Sequence, residues 1–366
     1  MKLTFVIASL GSGGAERVMS IMANYFAERG DEVSIVTFDD GSMPPFFDVS
    51  GRVRWQPLDT APTTLSMASR LMHIPRRAWA LRRQIRANRP EAIVSFMDRV
   101  NLMTLAATIG MRAPVIVSER SDPRQQDNNV ASGLLRRLLY RRARAIVVQT
   151  NGAASYFASS SLRTKTLVIP NPVPQPPISL ASSGRPGASI MAMGRLSGEK
   201  GFDLLLTAFA SVADRFPDWT LTIWGDGTLR GSLESQRDDL GLGARVRMPG
   251  RTKTPGVPMR AADIFVLSSH YEGFPNVLAE AMANGAAVIS YDCPSGPADL
   301  IESGVNGLLV APESVEALAD AMAALMSDGA ERRRLGANAE RVTAAFSLER
   351  VMAMWESIIN SPHVSS

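Results

Sequence analysis

Ser268-Ser269-His270-Tyr271-Glu272-Gly273-Phe274-Pro275-Asn276-Val277-Leu278-Ala279-Glu280-Ala281-Met282-Ala283-Asn284-Gly285 is the stretch around which the chain is organised. It follows Asp263-Ile264-Phe265-Val266-Leu267, an apolar run with the length of a buried strand. Pro275 falls where a first helical turn tolerates it, and Gly285 supplies a C-terminal stop. The order is therefore strand, loop, helix. Glu272 lies on the loop and Glu280 about a turn and a half into the helix. The amides of Asn276, Val277 and Leu278 are expected to be free at the helix N-terminus, a place that favours an anion. Two carboxylates flanking a phosphate site suit a ligand with a diphosphate between two hydroxyl-rich ends, such as a nucleotide-sugar. A charged surface loop capping an ordinary helix is the plainer reading of the same residues.

The strand before this motif is one of many. Over residues 1–170, apolar runs at 3–9, 32–37, 53–57, 91–95, 114–118, 144–148 and 166–169 alternate with helical patterns at 15–29, 66–88, 99–110, 130–142 and 151–159. Alternation of this kind predicts parallel strands with helices on both faces. Five prolines then fall within residues 170–177, and a Ser/Gly/Pro-containing stretch runs on to Gly187. Such a run cannot pair as a central strand and reads as a stiff connector. The alternation restarts with strands at 188–193, 219–224, 244–248, 263–267, 286–290 and 307–310. Helices are expected at 201–215, 228–240, 275–284, 296–303, 313–327 and 329–345, and a last one at 347–360. The expected division is a Rossmann-like domain over 1–170, a linker over 171–187, a second Rossmann-like domain over 188–345, and a terminal helical segment over 346–366. Two doubly wound domains in tandem predict a ligand cleft between them.

Composition narrows the chemistry. The 366-residue chain is 45% hydrophobic and 20% charged, an ordinary globular balance. A single cysteine, Cys293, forbids an internal disulfide and fits a reducing compartment. Three histidines far apart in sequence and no cysteine pair argue against a metal cluster. No run of 18 apolar residues is present, and the short apolar start reads as a first core strand rather than a signal peptide. Residues 1–170 hold 23 basic against 13 acidic residues, whereas the remainder holds 16 against 22. The first half should therefore face something anionic.

Three further clusters are candidates for binding. Gly11-Ser12-Gly13-Gly14-Ala15-Glu16-Arg17 lies between a strand and a helix, either as a close backbone approach to phosphate or as a tight structural turn. It is neither the dinucleotide fingerprint nor a P-loop. Gly194-Arg195-Leu196-Ser197-Gly198-Glu199-Lys200-Gly201 places a guanidinium and an ammonium before a helix, where cations are otherwise disfavoured. The pair can clamp a diphosphate or simply be solvated charge. Residues 68–90 hold seven arginines, among them Arg76, Arg77, Arg82 and Arg83, and no acid. With Leu71, Ile74, Ala78, Leu81 and Ile85 at helical spacing, they read as a basic amphipathic helix for a membrane surface or polyanion. In a chain with 35 arginines and 4 lysines, a solvated basic face is the alternative. A second basic cluster spans Arg136, Arg137, Arg141, Arg142 and Arg144. Nucleic acid is disfavoured, because no aromatic residues interleave for base stacking. His270 shows no carboxylate or metal partner and reads as structural, and Cys293 reads as a buried thiol.

Taken together, these motifs resemble glycosyltransferase family 4, the retaining group built on the GT-B fold, over nearly the whole chain. The resemblance rests on Glu272–Glu280 within E-G-F-P-N-V-L-A-E-A-M-A-N-G, on G-R-L-S-G-E-K-G at 194–201 and on G-S-G-G-A-E-R at 11–17. Trp224-Gly225-Asp226-Gly227-Thr228-Leu229 and Gly304-Val305-Asn306-Gly307-Leu308-Leu309-Val310 also match. The chain looks most similar to bacterial enzymes that lengthen undecaprenyl-diphosphate-linked glycans for exopolysaccharide, O-antigen or N-glycan assembly, some of which transfer N-acetylgalactosamine.

By that resemblance, Arg195 and Lys200 hold the donor diphosphate and offset leaving-group charge. Glu272 takes the donor sugar hydroxyls, and Gly273, Phe274, Asn276 and Val277 present backbone around sugar and phosphate. Glu280 takes the ribose, Thr252 stands near the base, and Gly14 approaches the diphosphate from the first domain. Many members carry a histidine where this chain has Arg120, which leaves donor-sugar identity open and gives Arg120 a phosphate or acceptor contact. Neither a cofactor nor a metal is implied. The implied activity is retaining transfer from a UDP-sugar, UDP-N-acetylgalactosamine or another UDP-hexose, to a lipid-diphosphate-linked glycan. Its implied place is cytoplasmic and peripheral on the inner membrane face, against an anionic surface. An epimerase of the same architecture and a non-catalytic membrane-binding protein are the alternatives.

Overall fold

The computed structural model describes residues 1–60, 67–122, 124, 130–158, 160–175, 188–252 and 254–361. The chain divides into two compact units, Met1–Asn171 together with the segment that starts at Val351, and Pro172–Arg350. Most of the expected linker, from 176 to 187, lies outside the described residues. Its first residues are packed rather than loose. Asn171, Pro172 and Val173 are buried, Val173 belongs to the second unit's core, and its amide donates to the Phe346 carbonyl at 2.8 Å.

The first unit runs β1 (Lys2–Val6), α1 (Gly14–Glu28), β2 (Glu32–Thr37), β3 (Arg54–Pro57), α2 (Met67–Asn88), β4 (Ala92–Phe96) and α3 (Asp98–Ala107). It continues with β5 (Val115–Ser118), α4 (Val130–Tyr140), β6 (Ala145–Val148), α5 (Asn151–Phe157) and β7 (Thr166–Val168). The seven strands lie in the order β3-β2-β1-β4-β5-β6-β7, all parallel. β4, β5 and β6 are buried throughout, as a parallel sheet covered on both faces requires. The order turns back between β1 and β4, and loops at such a reversal are where ligands bind in doubly wound sheets.

The second unit runs β8 (Ser189–Met193), α6 (Phe202–Ala213), β9 (Thr220–Trp224), α7 (Arg230–Asp239), β10 (Val246–Gly250), α8 (Gly256–Ala261) and β11 (Ile264–Leu267). After these come α9 (Asn276–Ala283), β12 (Ala287–Tyr291), α10 (Pro297–Leu300), β13 (Leu308–Val310), α11 (Val315–Ser327), α12 (Gly329–Ala339) and α13 (Val342–Ala345). Its six strands are parallel in the order β10-β9-β8-β11-β12-β13, with the reversal between β8 and β11. The period-two geometry of a strand explains how one sheet feeds two cores. Ile264, Val266, Ala287 and Ile289 join one buried cluster, while their neighbours Phe265, Leu267 and Val288 join the other.

Differences from the expected elements have local causes. The helix expected over 296–303 stops at Leu300, because the Asn306 side chain accepts from the Glu302 amide and donates to the Leu300 carbonyl, building a turn. The helix expected over 329–345 divides after Ala339. α8 escapes notice in the sequence because Pro255, Gly256 and Pro258 suggest a loop, yet proline is tolerated in a first turn.

The last helix, α14 (Leu348–Asn360), buries Val351, Met352, Trp355 and Ile359. Trp355 is 1% exposed and lies 6.1 Å from the Phe96 ring of the first unit. Glu356 accepts from the Tyr25 hydroxyl at 2.8 Å and pairs with Arg29, and Arg144 donates to the Ser361 carbonyl.

Candidate active site

β8 and β11 are neighbours, so the loops that follow them leave the same sheet edge together. This is how Lys200 meets Glu272. The Lys200 Nζ donates to Glu272 Oε1 at 2.6 Å, with the two side chains 19% and 10% exposed. Ser269 Oγ donates to the same oxygen at 2.7 Å. Ser268 Oγ donates to the Lys200 carbonyl at 2.8 Å, and the His270 amide donates to the Glu199 carbonyl at 2.9 Å. Between the loops, Gly201 is left-handed at φ 57°, and a Cβ there would strike the Ser268 carbonyl. Only glycine fits that approach.

The segment after β12 closes the other side of the motif. Ser295 Oγ donates to the Glu272 carbonyl at 3.0 Å, and Ser295 itself is held at φ 62°. Gly296, at φ 111°, would place a Cβ 2.7 Å from Pro275 Cδ. A left-handed non-glycine residue costs about 1–3 kcal/mol, which the surrounding bonds must offset. Cys293 is buried here, and burial, followed by the nearby Glu272 charge, pushes its thiol up to about 12. It is therefore no nucleophile at neutral pH.

Arg195 is exposed on a loop interlocked with the Trp224–Gly227 turn. The Gly194 amide donates to the Trp224 carbonyl at 2.9 Å and the Leu196 amide to the Asp226 carbonyl at 3.1 Å. Arg230 braces that turn, with Nε on Asp226 at 2.9 Å and Nη2 on the Gly225 carbonyl at 2.9 Å. Arg195 has no ion-pair partner among the described residues. A guanidinium on a braced loop with an open face is suited to take an anion.

Two expectations about this motif are corrected. The amides of Asn276 and Leu278 are not free, because they donate to the carbonyls of Phe274 at 2.9 Å and Pro275 at 3.0 Å. Pro275 precedes the helix as its cap, with φ −78° and ψ 76°, and this turn consumes the donors. His270 does have a carboxylate partner, since its Nδ1 lies 2.7 Å from Glu313 Oε1. Phe274 packs in the core, 6.0 Å from the Phe346 ring, so it can offer a ligand only its backbone. Gly273, Asn276 and Val277 are partly exposed, and Glu280 is 8% exposed as the fifth residue of α9. Thr252 follows β10, and its hydroxyl accepts from the Thr254 amide at 3.1 Å.

The remaining candidates belong to the first unit. Gly14 opens α1 behind Gly13, over which the Glu16 carboxylate folds back. Arg120 follows β5, its guanidinium 3.9 Å from the Phe96 centroid and its Nη1 donating to Ser118 Oγ at 3.4 Å. Its Nη2 is buried with no hydrogen-bond partner among the described residues. Burial lowers its pKa to about 9 against the opposing pull of Glu16. Within α2, Arg76, Arg77, Arg82 and Arg83 do not form one basic face, which corrects the sequence expectation. Arg76 and Arg83 are exposed. Arg77 turns inward over the Phe38 ring at 4.5 Å, where burial lowers its pKa. Arg82 donates from Nη1 to the carbonyls of Ala107 at 2.6 Å and Ile109 at 2.8 Å, satisfying the end of α3.

Sequence reasoning overlooks Ser269, Ser295 and the Asp226–Arg230 clasp. Ser269 adjoins the motif and was within reach. Ser295 is brought to Glu272 by the β12 crossover and leaves no local signal.

Comparison with known proteins fits this geometry. Residues 185–342 match the glycosyl transferases group 1 family, and residues 13–172 match the glycosyl transferase 4-like domain. The chain is 30% identical, over 98% of both chains, to the Campylobacter jejuni GalNAc-α-(1→4)-GalNAc-α-(1→3)-diNAcBac-PP-undecaprenol α-1,4-N-acetyl-D-galactosaminyltransferase. Among solved structures, sucrose-phosphate synthase from Thermosynechococcus elongatus superposes with a TM-score of 0.84 at 20% identity, covering 97% of each chain. Anabaena HepE in complex with UDP and glucose superposes with a TM-score of 0.81 at 20% identity, over 99% of this chain and 100% of that one. The chain belongs to the group 1, family 4-like glycosyltransferases, and its fold is GT-B.

Proposed function

We propose that this glycosyltransferase moves a sugar, N-acetylgalactosamine or another hexose, from a UDP-sugar to a lipid-diphosphate-linked glycan, with retention of anomeric configuration. The observation that carries the reading is the Lys200–Glu272 pair at the β8/β11 reversal, with Arg195 exposed on the loop that also carries Lys200. The Campylobacter relative, named for an undecaprenol-linked substrate, and the neighbour solved with UDP and glucose support the same assignment.

In this reading, donor binding exchanges one partner for another. The Lys200 ammonium turns from the carboxylate to the β-phosphate, and Glu272 is released to accept from the sugar hydroxyls. Arg195 adds a second cation, and Glu280 accepts from the ribose. The bond between the anomeric carbon and the phosphate oxygen breaks while the acceptor oxygen bonds that carbon from the same face. The acceptor proton passes to the departing phosphate. Fixed cations stabilise the charge that develops there, the part a metal ion plays in other transferases, so no resident metal is needed. The first unit takes the acceptor, with Arg120 after β5 serving it.

No helix among the described residues is long and apolar enough to cross a membrane. We place the enzyme on the cytoplasmic face of an anionic membrane, held peripherally, where the exposed arginines Arg76 and Arg83 of α2 add electrostatic attraction. A panel of UDP-sugars incubated with an undecaprenyl-diphosphate oligosaccharide extract tests the proposal. UDP release and a glycan heavier by one sugar, with the donor's anomeric configuration, are expected for at least one donor. UDP release with no lipid-linked product, or release by none of the panel, would overturn it.

A further inference from the structure

α4 is an amphipathic helix seated the unusual way round. Its buried cation, Arg136, is 2% exposed and bonds Asp98 through Nε at 3.0 Å and Nη2 at 2.9 Å, with Glu119 at 3.9 Å. Leu139 and Tyr140 face inward with it. Seating Arg136 in the core leaves Leu134, Leu135 and Leu138 outward, 61%, 46% and 62% exposed. Their i, i+1, i+4 spacing keeps all three on one face. A single exposed leucine is ordinary, but a contiguous apolar stripe marks a docking surface.

The charges around the stripe identify what docks. Arg137, Arg141 and Arg142 are exposed beside it, and residues 130–145 contain no acid. α3 packs against both α4 and α2 and ends near Ile109, itself 51% exposed. Leucines that need covering, bordered by arginines with no acid among them, complement a surface that is apolar inside and anionic at its boundary. A second copy of this face would set arginine against arginine, which disfavours a symmetric dimer here.

We propose that α4 is the element that enters the membrane. Leu134, Leu135 and Leu138 insert into the acyl boundary of an anionic bilayer, and Arg137, Arg141 and Arg142 pair with headgroup phosphates. This rests on the peripheral-membrane reading above and goes beyond it by assigning insertion to α4, with α2 adding only attraction.

Co-sedimentation of the full chain with phosphatidylcholine vesicles, with and without phosphatidylglycerol, tests this. The Leu134→Gln/Leu135→Gln/Leu138→Gln variant should bind phosphatidylglycerol vesicles at least ~10-fold more weakly at both low and high salt. The Arg137→Ser/Arg141→Ser/Arg142→Ser variant should lose binding chiefly at low salt. Unfolding temperature, UDP affinity and transfer to a detergent-solubilised acceptor should match wild type in the leucine variant. Vesicle binding equal to wild type in that variant would overturn the proposal. So would a wild-type protein that binds no vesicles, or one that self-associates without lipid and becomes monomeric in the variant. Leucine-dependent vesicle binding by a protein that transfers no sugar would instead sink the transferase reading and leave the docking surface standing.

Discussion

Lys200 and Glu272 stand 72 residues apart in the chain and 2.6 Å apart in space, joined by a hydrogen bond from the ammonium to the carboxylate. A buried carboxylate next to a fixed ammonium is preorganised charge, and catalysis by such charge needs no rearrangement of solvent at the moment of reaction. Lys200→Ala and Glu272→Ala should each lower turnover by roughly 10²–10³-fold, the scale for removing one preorganised contact. The double variant should lose less than the product of the two, because the residues share one interaction. Steady-state UDP release measures all three, and near-wild-type turnover in both single variants would remove the assigned roles.

Gly201 offers a test of how the motif is locked. Its φ of 57° and the Ser268 carbonyl facing it leave no room for a side chain, whereas Gly198 faces open space. Gly201→Ala should destabilise the protein by about 1–2 kcal/mol or more, on left-handed strain alone. Gly198→Ala should change little. Thermal unfolding of the pair reads the difference, and equal melting temperatures would contradict the geometry.

The arginines of α2 divide by job. Arg82→Ala leaves the carbonyls of Ala107 and Ile109 without their donor and should cost about 0.5–1.5 kcal/mol in urea unfolding. Arg76→Ser with Arg83→Ser should leave stability unchanged and reduce vesicle binding only at low salt. A stability loss in the exposed pair, or none at Arg82, would reverse the division.

Arg120 carries a cost within the fold. Its Nη2 is buried without a partner among the described residues, and burial depresses its pKa to about 9. Arg120→Met, which keeps a long chain against Phe96, should raise stability by on the order of 1 kcal/mol, because an uncompensated buried charge is removed. Transfer activity should fall in the same variant if the guanidinium serves the acceptor or donor. A variant less stable than wild type would show that the Phe96 contact outweighs the desolvation.

Cys293 should resist alkylation. With its thiol pushed up to about 12, the thiolate is scarce at pH 8, and iodoacetamide should label the protein only after denaturation. Rapid labelling of the native chain, read by mass spectrometry, would place Cys293 in a more open setting.

Much of the fold was legible because parallel strands buried on both faces are short apolar runs, and those runs survive in the sequence as they stand. The Glu272–Glu280 spacing was legible for the same reason, since it follows one strand directly. What could not be read was which loops close on each other. Sheet order brings β8 beside β11, so Lys200 reaches Glu272, and the β12 crossover brings Ser295 to the same residue. His270 looked solitary because Glu313 lies beyond two further strands. Helical periodicity marked the arginines of α2 but could not say that Arg77 and Arg82 bend inward, since a long flexible side chain can leave its own face. The same blindness hid Arg136, whose burial reverses α4. The spent amides of Asn276 and Leu278 were lost to a two-residue turn that no pattern announces.

Trp355 completes a core begun hundreds of residues earlier in synthesis, against Phe96 in a unit whose other strands and helices precede Asn171. A ribosome therefore releases the whole of Pro172–Arg350 before the first unit can acquire its final helix. Until then the nascent Phe96 seat stays uncovered, and a fragment cut at Asn171 inherits that defect for good.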